Sequence, residues 1–166
     1  MAGNTRERSV HQELGGVTLQ FSTKPGFLAR LIRWFTWSEF SHVDFVLYTA
    51  DGVWLLGSKA DGVKRRPYIE SNYSHVARFN LPDCPPAAVQ FAETQIGKPY
   101  DFSALFGFLL RRDWAEDDSW FCSELVYWAF EQAGYRPFRG MHMSRITPQH
   151  LLMLPTLRLV EEWKRE

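Results

Sequence analysis

The chain has 166 residues, of which 45% are hydrophobic, 16% aromatic and 23% charged, a balance that suits one folded domain and excludes disorder over most of its length. Its 19 basic and 19 acidic side chains cancel, so no net field favours nucleic acid or an anionic bilayer. Two cysteines, Cys84 and Cys122, are too few for a disulfide framework or a Cys-rich zinc site.

Residues 1–16 are polar and are expected to form a mobile tail ahead of a single domain over 17–166. No stretch has the form of a signal peptide or a transmembrane segment, so the cytoplasm is the expected compartment. Val17 to Phe21 reads as a short strand, and Phe27 to Trp37 carries Leu28, Leu31, Ile32 and Phe35 at helical spacing. From Ser41 to Tyr48 the pattern alternates, with Val43, Phe45 and Leu47 on one side and His42, Asp44, Val46 and Tyr48 on the other. Asp51-Gly52 then signals a hairpin whose second strand is Val53 to Leu56. Further strands are expected after Gly62 and over Val76 to Leu81; Lys64, Arg65 and Arg66 look like a solvated face.

After Pro85 the period becomes helical through Ala88, Phe91, Ala92 and Ile96, ending at Gly97. Phe102 to Leu110 is another candidate helix, and Glu116 to Ser119 an acidic loop. Cys122 to Ala133 is the clearest helix, with Leu125, Val126, Ala129, Phe130 and Ala133 on one stripe and Gly134 as its stop. A short helix from Pro148 and a strand over Leu157 to Val160 complete the chain. A small antiparallel sheet or half-barrel packed on helices, an α+β fold, accounts for this order.

A cysteine in the first turn of a helix meets unpaired amides and the positive end of the helix dipole, both of which favour thiolate. Cys122 is therefore a candidate nucleophile, against the alternative of a small buried apolar residue. His42, on the polar side of its strand beside Asp44, is a candidate base, against the alternative of a surface histidine. His11, His75, His142 and His150 compete for the role.

Three motifs carry a resemblance: Ser41-His42-Val43-Asp44-Phe45-Val46, Gly97-Lys98-Pro99-Tyr100-Asp101, and Trp120-Phe121-Cys122-Ser123-Glu124-Leu125-Val126. In this order they resemble the circularly permuted branch of the NlpC-type, papain-like superfamily, which includes the YiiX-like proteins and, more distantly, lecithin retinol acyltransferase. The histidine strand precedes the cysteine helix in that branch, as His42 precedes Cys122 here. Ile146-Thr147-Pro148 also resembles the segment after the cysteine helix, so the likeness spans roughly residues 17 to 155.

The resemblance implies a permuted papain-like fold with the nucleophile at a helix N-terminus. It also implies a Cys-His pair that attacks an amide or ester carbonyl and passes through a thioester, as a hydrolase (peptidase or amidase) or an acyltransferase. The Cys122 amide would help hold the oxyanion. Tyr100 matches a tyrosine near the cleft in relatives, with a packing role as the alternative. Peptide, cell-wall peptide or lipid-linked amide or ester substrates are implied, and no cofactor.

A base held in place by a third polar residue works better; in relatives that residue stands near the end of the strand after the hairpin, and the resemblance places the position near Gly57 here. Asp44, Ser58 and Asp61 are the substitutes. Asp44 faces the right way, although strand residues two apart are separated by about 6 to 7 Å, long for a direct bond. The empty position leaves open an inactive papain-like binding module, and a metal site from His42, Asp44 and Cys122 is a weaker alternative lacking short ligand spacing. Trp37, Phe40, Trp120 and Phe121, close to the motifs, are expected to pack in the core, with contact to an apolar part of the substrate as the alternative.

Overall fold

The computed structural model describes residues 15–26, 30, 33–34, 37–100 and 121–165. The expected helices over Phe27 to Trp37 and Phe102 to Leu110 fall largely or wholly outside them, as does the acidic loop at Glu116 to Ser119. The described chain is α+β: β1 (Val17–Thr23), β2 (His42–Thr49), β3 (Gly52–Lys59), β4 (Gly62–Pro67), β5 (His75–Leu81), α1 (Ala87–Glu93), α2 (Cys122–Gln132), α3 (Pro148–Leu152) and β6 (Arg158–Lys164). The six strands form one sheet in the order β4-β3-β2-β1-β5-β6, and every pairing is antiparallel.

The alternation seen in the sequence decides the two faces of the sheet. Val17, Leu19, Phe21, Val43, Phe45 and Leu56 point to the helices and join Leu125, Val126, Ala129 and Phe130 of α2 in the main core. Helix α2 lies across β2 and β3, with the Phe130 ring edge-on to Phe45 at 6.0 Å. Helix α1 packs on α2, where the buried side chains of Ala88 and Ala92 allow close approach. Each large apolar side chain fully buried here stabilises the fold by roughly 1.5–3 kcal/mol.

The opposite face differs from a half-exposed polar surface. Val46, Leu55, Tyr73 and Val76 form a second buried cluster, and Tyr48, Val53, Tyr68 and Trp163 pack around it. Both faces of the central strands are therefore covered, and polar residues on this face, including Gln20, Ser22, Asp44, Arg78 and Asn80, are buried with them.

Three sequence expectations change in detail. Helix α1 ends at Glu93, and residues 94–97 continue as turns. The last strand runs over Arg158–Lys164 as an edge strand on β5. Phe40 and Phe121 are core residues as expected, but Trp37 is 87% exposed; Trp120 lies outside the described residues. Trp37 has a left-handed backbone, with φ +51°, and the Ser38 amide after it donates to the Arg33 carbonyl at 3.2 Å. That is the geometry of a helix C-terminal cap, which turns the chain out of the helix at residue 37.

Candidate active site

His42 opens β2 and Cys122 opens α2, so the two lie at the entries of elements that pack on each other. The backbone groups of Val43, the residue next to His42, and of Ser123 both favour the thiolate form of Cys122. The turn that presents it is fixed from both sides. The Phe121 amide donates to Glu124 Oε2 at 3.1 Å, and Ser123 Oγ donates to the Ile146 carbonyl at 2.5 Å. The first of these bonds closes an orphan amide at the helix start; the second ties the helix to the Ile146-Thr147-Pro148 segment.

The expectation of a thiolate-favouring site does not hold for this arrangement. Cys122 is 1% exposed, and burial pushes its thiol up to about 12, against the pull of the Val43 and Ser123 amides and with a further push from the Asp44 and Glu124 carboxylates. Loss of water outweighs the amides and dipole at the helix start. Cys84, also buried and free, is raised to about 12 by burial alone.

His42 Nε2 lies 2.8 Å from Asp44 Oδ1. The separation expected from the strand rise applies to the backbone positions; the side chains lean together and close it. Asp44 is fully buried, and its second oxygen, Oδ2, is 3.3 Å from Lys59 Nζ. Burial alone would raise the Asp44 carboxyl, but His42 and Lys59 beside it carry it well below the usual carboxylate range. Burial would likewise lower Lys59, yet Asp44 and Tyr73 hold it above its ordinary value. The His42 side chain is 15% exposed; desolvation lowers its pKa, and the Asp44 charge offsets this only in part. At neutral pH the site holds a neutral imidazole, an ionised carboxylate and a neutral thiol.

Since a carboxylate only accepts, the 2.8 Å contact places the imidazole proton on Nε2. Nδ1 is then the nitrogen with a free lone pair, on the other side of the ring.

The other candidates for the third position separate cleanly. Asp61 is exposed in the turn before β4, where it pairs with Lys64 at 3.0 Å and with Arg66. Ser58 is buried one residue from the position facing Asp44, and the strand alternation sends it to the other face. Arg66, expected to be solvated, is mostly covered and donates to the Gly57 carbonyl at 3.1 Å. Tyr100 packs its ring on Phe121, the residue before Cys122, at 5.9 Å. The segment carrying Tyr100 is held by β4: Val63 donates to Lys98 O at 2.9 Å and Gly97 to Val63 O at 3.0 Å.

Sequence reasoning missed Lys59 and Glu124. The signal for Lys59 was its place on the face of Gly57, two residues away on β3. For Glu124 it was the third position after a helix start, where a carboxylate caps the amides.

Among the described residues no group of three or more His, Cys, Asp or Glu side chains could hold a metal ion. Among them, too, no helix is long and apolar enough to cross a membrane.

No family model matches the sequence, and neither does any curated protein. The fold is similar to the crystal structure of the metalloprotein yiiX from Escherichia coli O157:H7, DUF1105. The TM-score is 0.70 at 18% identity, covering 90% of this chain and 98% of that one. The chain is thus YiiX-like in fold.

Proposed function

We propose that this protein is a permuted papain-like thiol hydrolase or acyltransferase, with Cys122 as nucleophile, His42 as base and Asp44 as the residue that orients His42. The observation that carries the reading is the 2.8 Å contact from His42 Nε2 to Asp44, on a strand against which the helix opened by Cys122 packs. A carboxylate-held imidazole at the start of a strand and a thiol at the start of the helix packed on it are the parts nucleophilic catalysis at a carbonyl needs.

With both partners neutral at rest, the proton moves as the bond forms. Nδ1 of His42 takes the thiol proton while the sulfur attacks the carbonyl carbon of an amide or ester. The ionised Asp44 stabilises the resulting imidazolium, and amides at the start of α2 stabilise the oxyanion. Collapse of the adduct expels the amine or alcohol with the proton from Nδ1. This leaves an acyl-thioester for water or another acceptor to resolve. Peptides, cell-wall peptides and lipid-linked amides or esters are the proposed substrates.

One observation favours a second reading, a non-catalytic domain of the same fold: the Cys122 thiol is buried and its ionisation is suppressed. The neighbour's description as a metalloprotein raises a third possibility, which the described donor set does not support. Incubation with an activated ester such as p-nitrophenyl acetate, acid quench and peptide mass spectrometry separates the first two. The expected result is an acyl adduct on Cys122, absent in Cys122→Ala and formed on the order of 100-fold more slowly in His42→Ala. Absence of the adduct, or its formation at the same rate without His42, would overturn the enzyme reading.

A further inference from the structure

Gly57 departs from the usual reasons for glycine. Its backbone is not in the left-handed region, unlike Gly52 and Gly62 on the same hairpin and the next, so the conformation itself accepts any residue. What forbids a side chain is space. A Cβ on residue 57 would stand 2.0 Å from Asp44 Oδ1 and 3.0 Å from Asp44 Cγ. That oxygen is the one 2.8 Å from His42 Nε2. The carboxylate cannot move aside without cost, because Oδ2 is held by Lys59 at 3.3 Å and the whole side chain is buried. The Gly57 backbone is fixed in turn by Arg66 Nη1, which donates to its carbonyl at 3.1 Å.

We propose that Gly57 is a positioning residue for His42: the volume its side chain would fill is where the Asp44 carboxylate stands, so positions 44 and 57 share a single orienting group. Filling position 57 displaces the carboxylate from the imidazole. Conversely, a carboxylate projecting from position 57 reaches the same volume once Asp44 is removed. An aspartate oxygen lies two bonds from its Cβ, close to the span between the 57 Cβ position and the present Oδ1. The orienting group is exchangeable between the two strands, and the apparent gap at Gly57 is the complement of Asp44.

The test uses the full chain and five variants: Gly57→Ala, Asp44→Gly, the exchange Asp44→Gly/Gly57→Asp, Asp44→Ala, and Asp44→Ala/Gly57→Ala. One readout is NMR of the His42 ring, which follows the Nε2 proton and the imidazole titration. The other is the rate of acyl-adduct formation on Cys122, which alone rests on the function proposed above. The first two variants should lose the hydrogen-bonded Nε2 proton and slow acylation on the order of 100-fold, while the exchange variant restores the signal and brings the rate to within about tenfold of wild type.

Thermal unfolding of the alanine variants is the second arm: Gly57→Ala should be clearly destabilising beside Asp44 and near neutral in the Asp44→Ala background. If Gly57→Ala does not fold, recovery of folding by Asp44→Ala supports the steric coupling, and failure of both variants to fold overturns it. Gly57→Ala with an unchanged His42 titration and Nε2 signal would also overturn it, as would a folded exchange variant no better than Asp44→Gly by NMR. If the ring responds as expected and no acyl adduct ever forms, the enzyme reading fails while the positioning of His42 by Gly57 stands.

Discussion

Lys59 Nζ meets the Asp44 carboxylate at Oδ2, 3.3 Å away, while His42 meets it at Oδ1. One buried carboxylate thus carries two basic partners on its two oxygens, and Lys59 also reaches the Tyr73 hydroxyl at 3.4 Å. Removing the ammonium leaves a buried carboxylate with only a neutral imidazole. Lys59→Met is therefore expected to cost about 3 kcal/mol of stability, as breaking a buried pair by one partner does. Asp44→Asn/Lys59→Met, which leaves no net charge behind, should recover a large part of it. Urea unfolding of wild type, Lys59→Met, Asp44→Asn and the double variant measures the coupling; additive losses would refute it.

Acid should weaken the fold in two stages. His42 is held below its ordinary 6.5, so the unfolded chain binds its proton first, and stability falls as the pH drops from about 6.5 toward the folded value. Asp44 is held below its ordinary 3.8, so its contribution is complete above that pH and is lost as the pH falls further. Unfolding free energies at a series of pH values should show the first loss disappear in His42→Ala. A stability that rises between pH 6.5 and 5 would contradict the folded-state assignment of His42.

The Cys122 thiol, raised to about 12, should show no thiolate absorbance near neutral pH. In a Cys84→Ser background, its alkylation rate should keep rising with pH well beyond the value of about 8.5 at which a free cysteine levels off. Glu124→Gln keeps an oxygen for the Phe121 amide while removing a nearby negative charge. It should lower the thiol pKa and increase alkylation at fixed pH. An unchanged or raised pKa in that variant would count against the placement of Glu124.

Gly62 answers to both conformation and space. Its φ is +91°, and a Cβ there would lie 2.6 Å from the Lys98 carbonyl oxygen. Gly62→Ala should cost about 2 kcal/mol or more, since left-handed strain and the clash act together. It should also loosen residues 97–98 from β4, readable as faster amide exchange at Val63 and Gly97, whose amides make that junction. Unaltered exchange at both would refute the coupling.

Much of the sheet was legible because β2 alternates without interruption and turn residues mark its hairpin with β3. The cysteine helix was legible through its apolar stripe and Gly134. What the sequence concealed was the environment. The position of Cys122 at a helix start predicted a favoured thiolate, but the extent of burial depends on what packs over that turn, and burial wins. Asp44 looked too distant from His42 because backbone spacing says little about where two side-chain tips meet. Gly57 looked like a missing partner because an absent side chain does not announce what occupies its place. The left-handed turn at Trp37, which sends a tryptophan outward, carries no glycine to mark it.

The strand order carries a consequence for how the molecule assembles. His42, Asp44, Gly57 and Lys59 all belong to the β2–β3 hairpin, a local pairing that closes cheaply. Strand β1 pairs with β5 across more than fifty residues, from Thr23–His75 to Val17–Leu81, and the cysteine arrives later still in the chain. Distant pairings of this kind are slow to form. The imidazole and its supports are thus encoded in one local hairpin, whereas Cys122 comes to that hairpin only through long-range packing of its helix on β2 and β3.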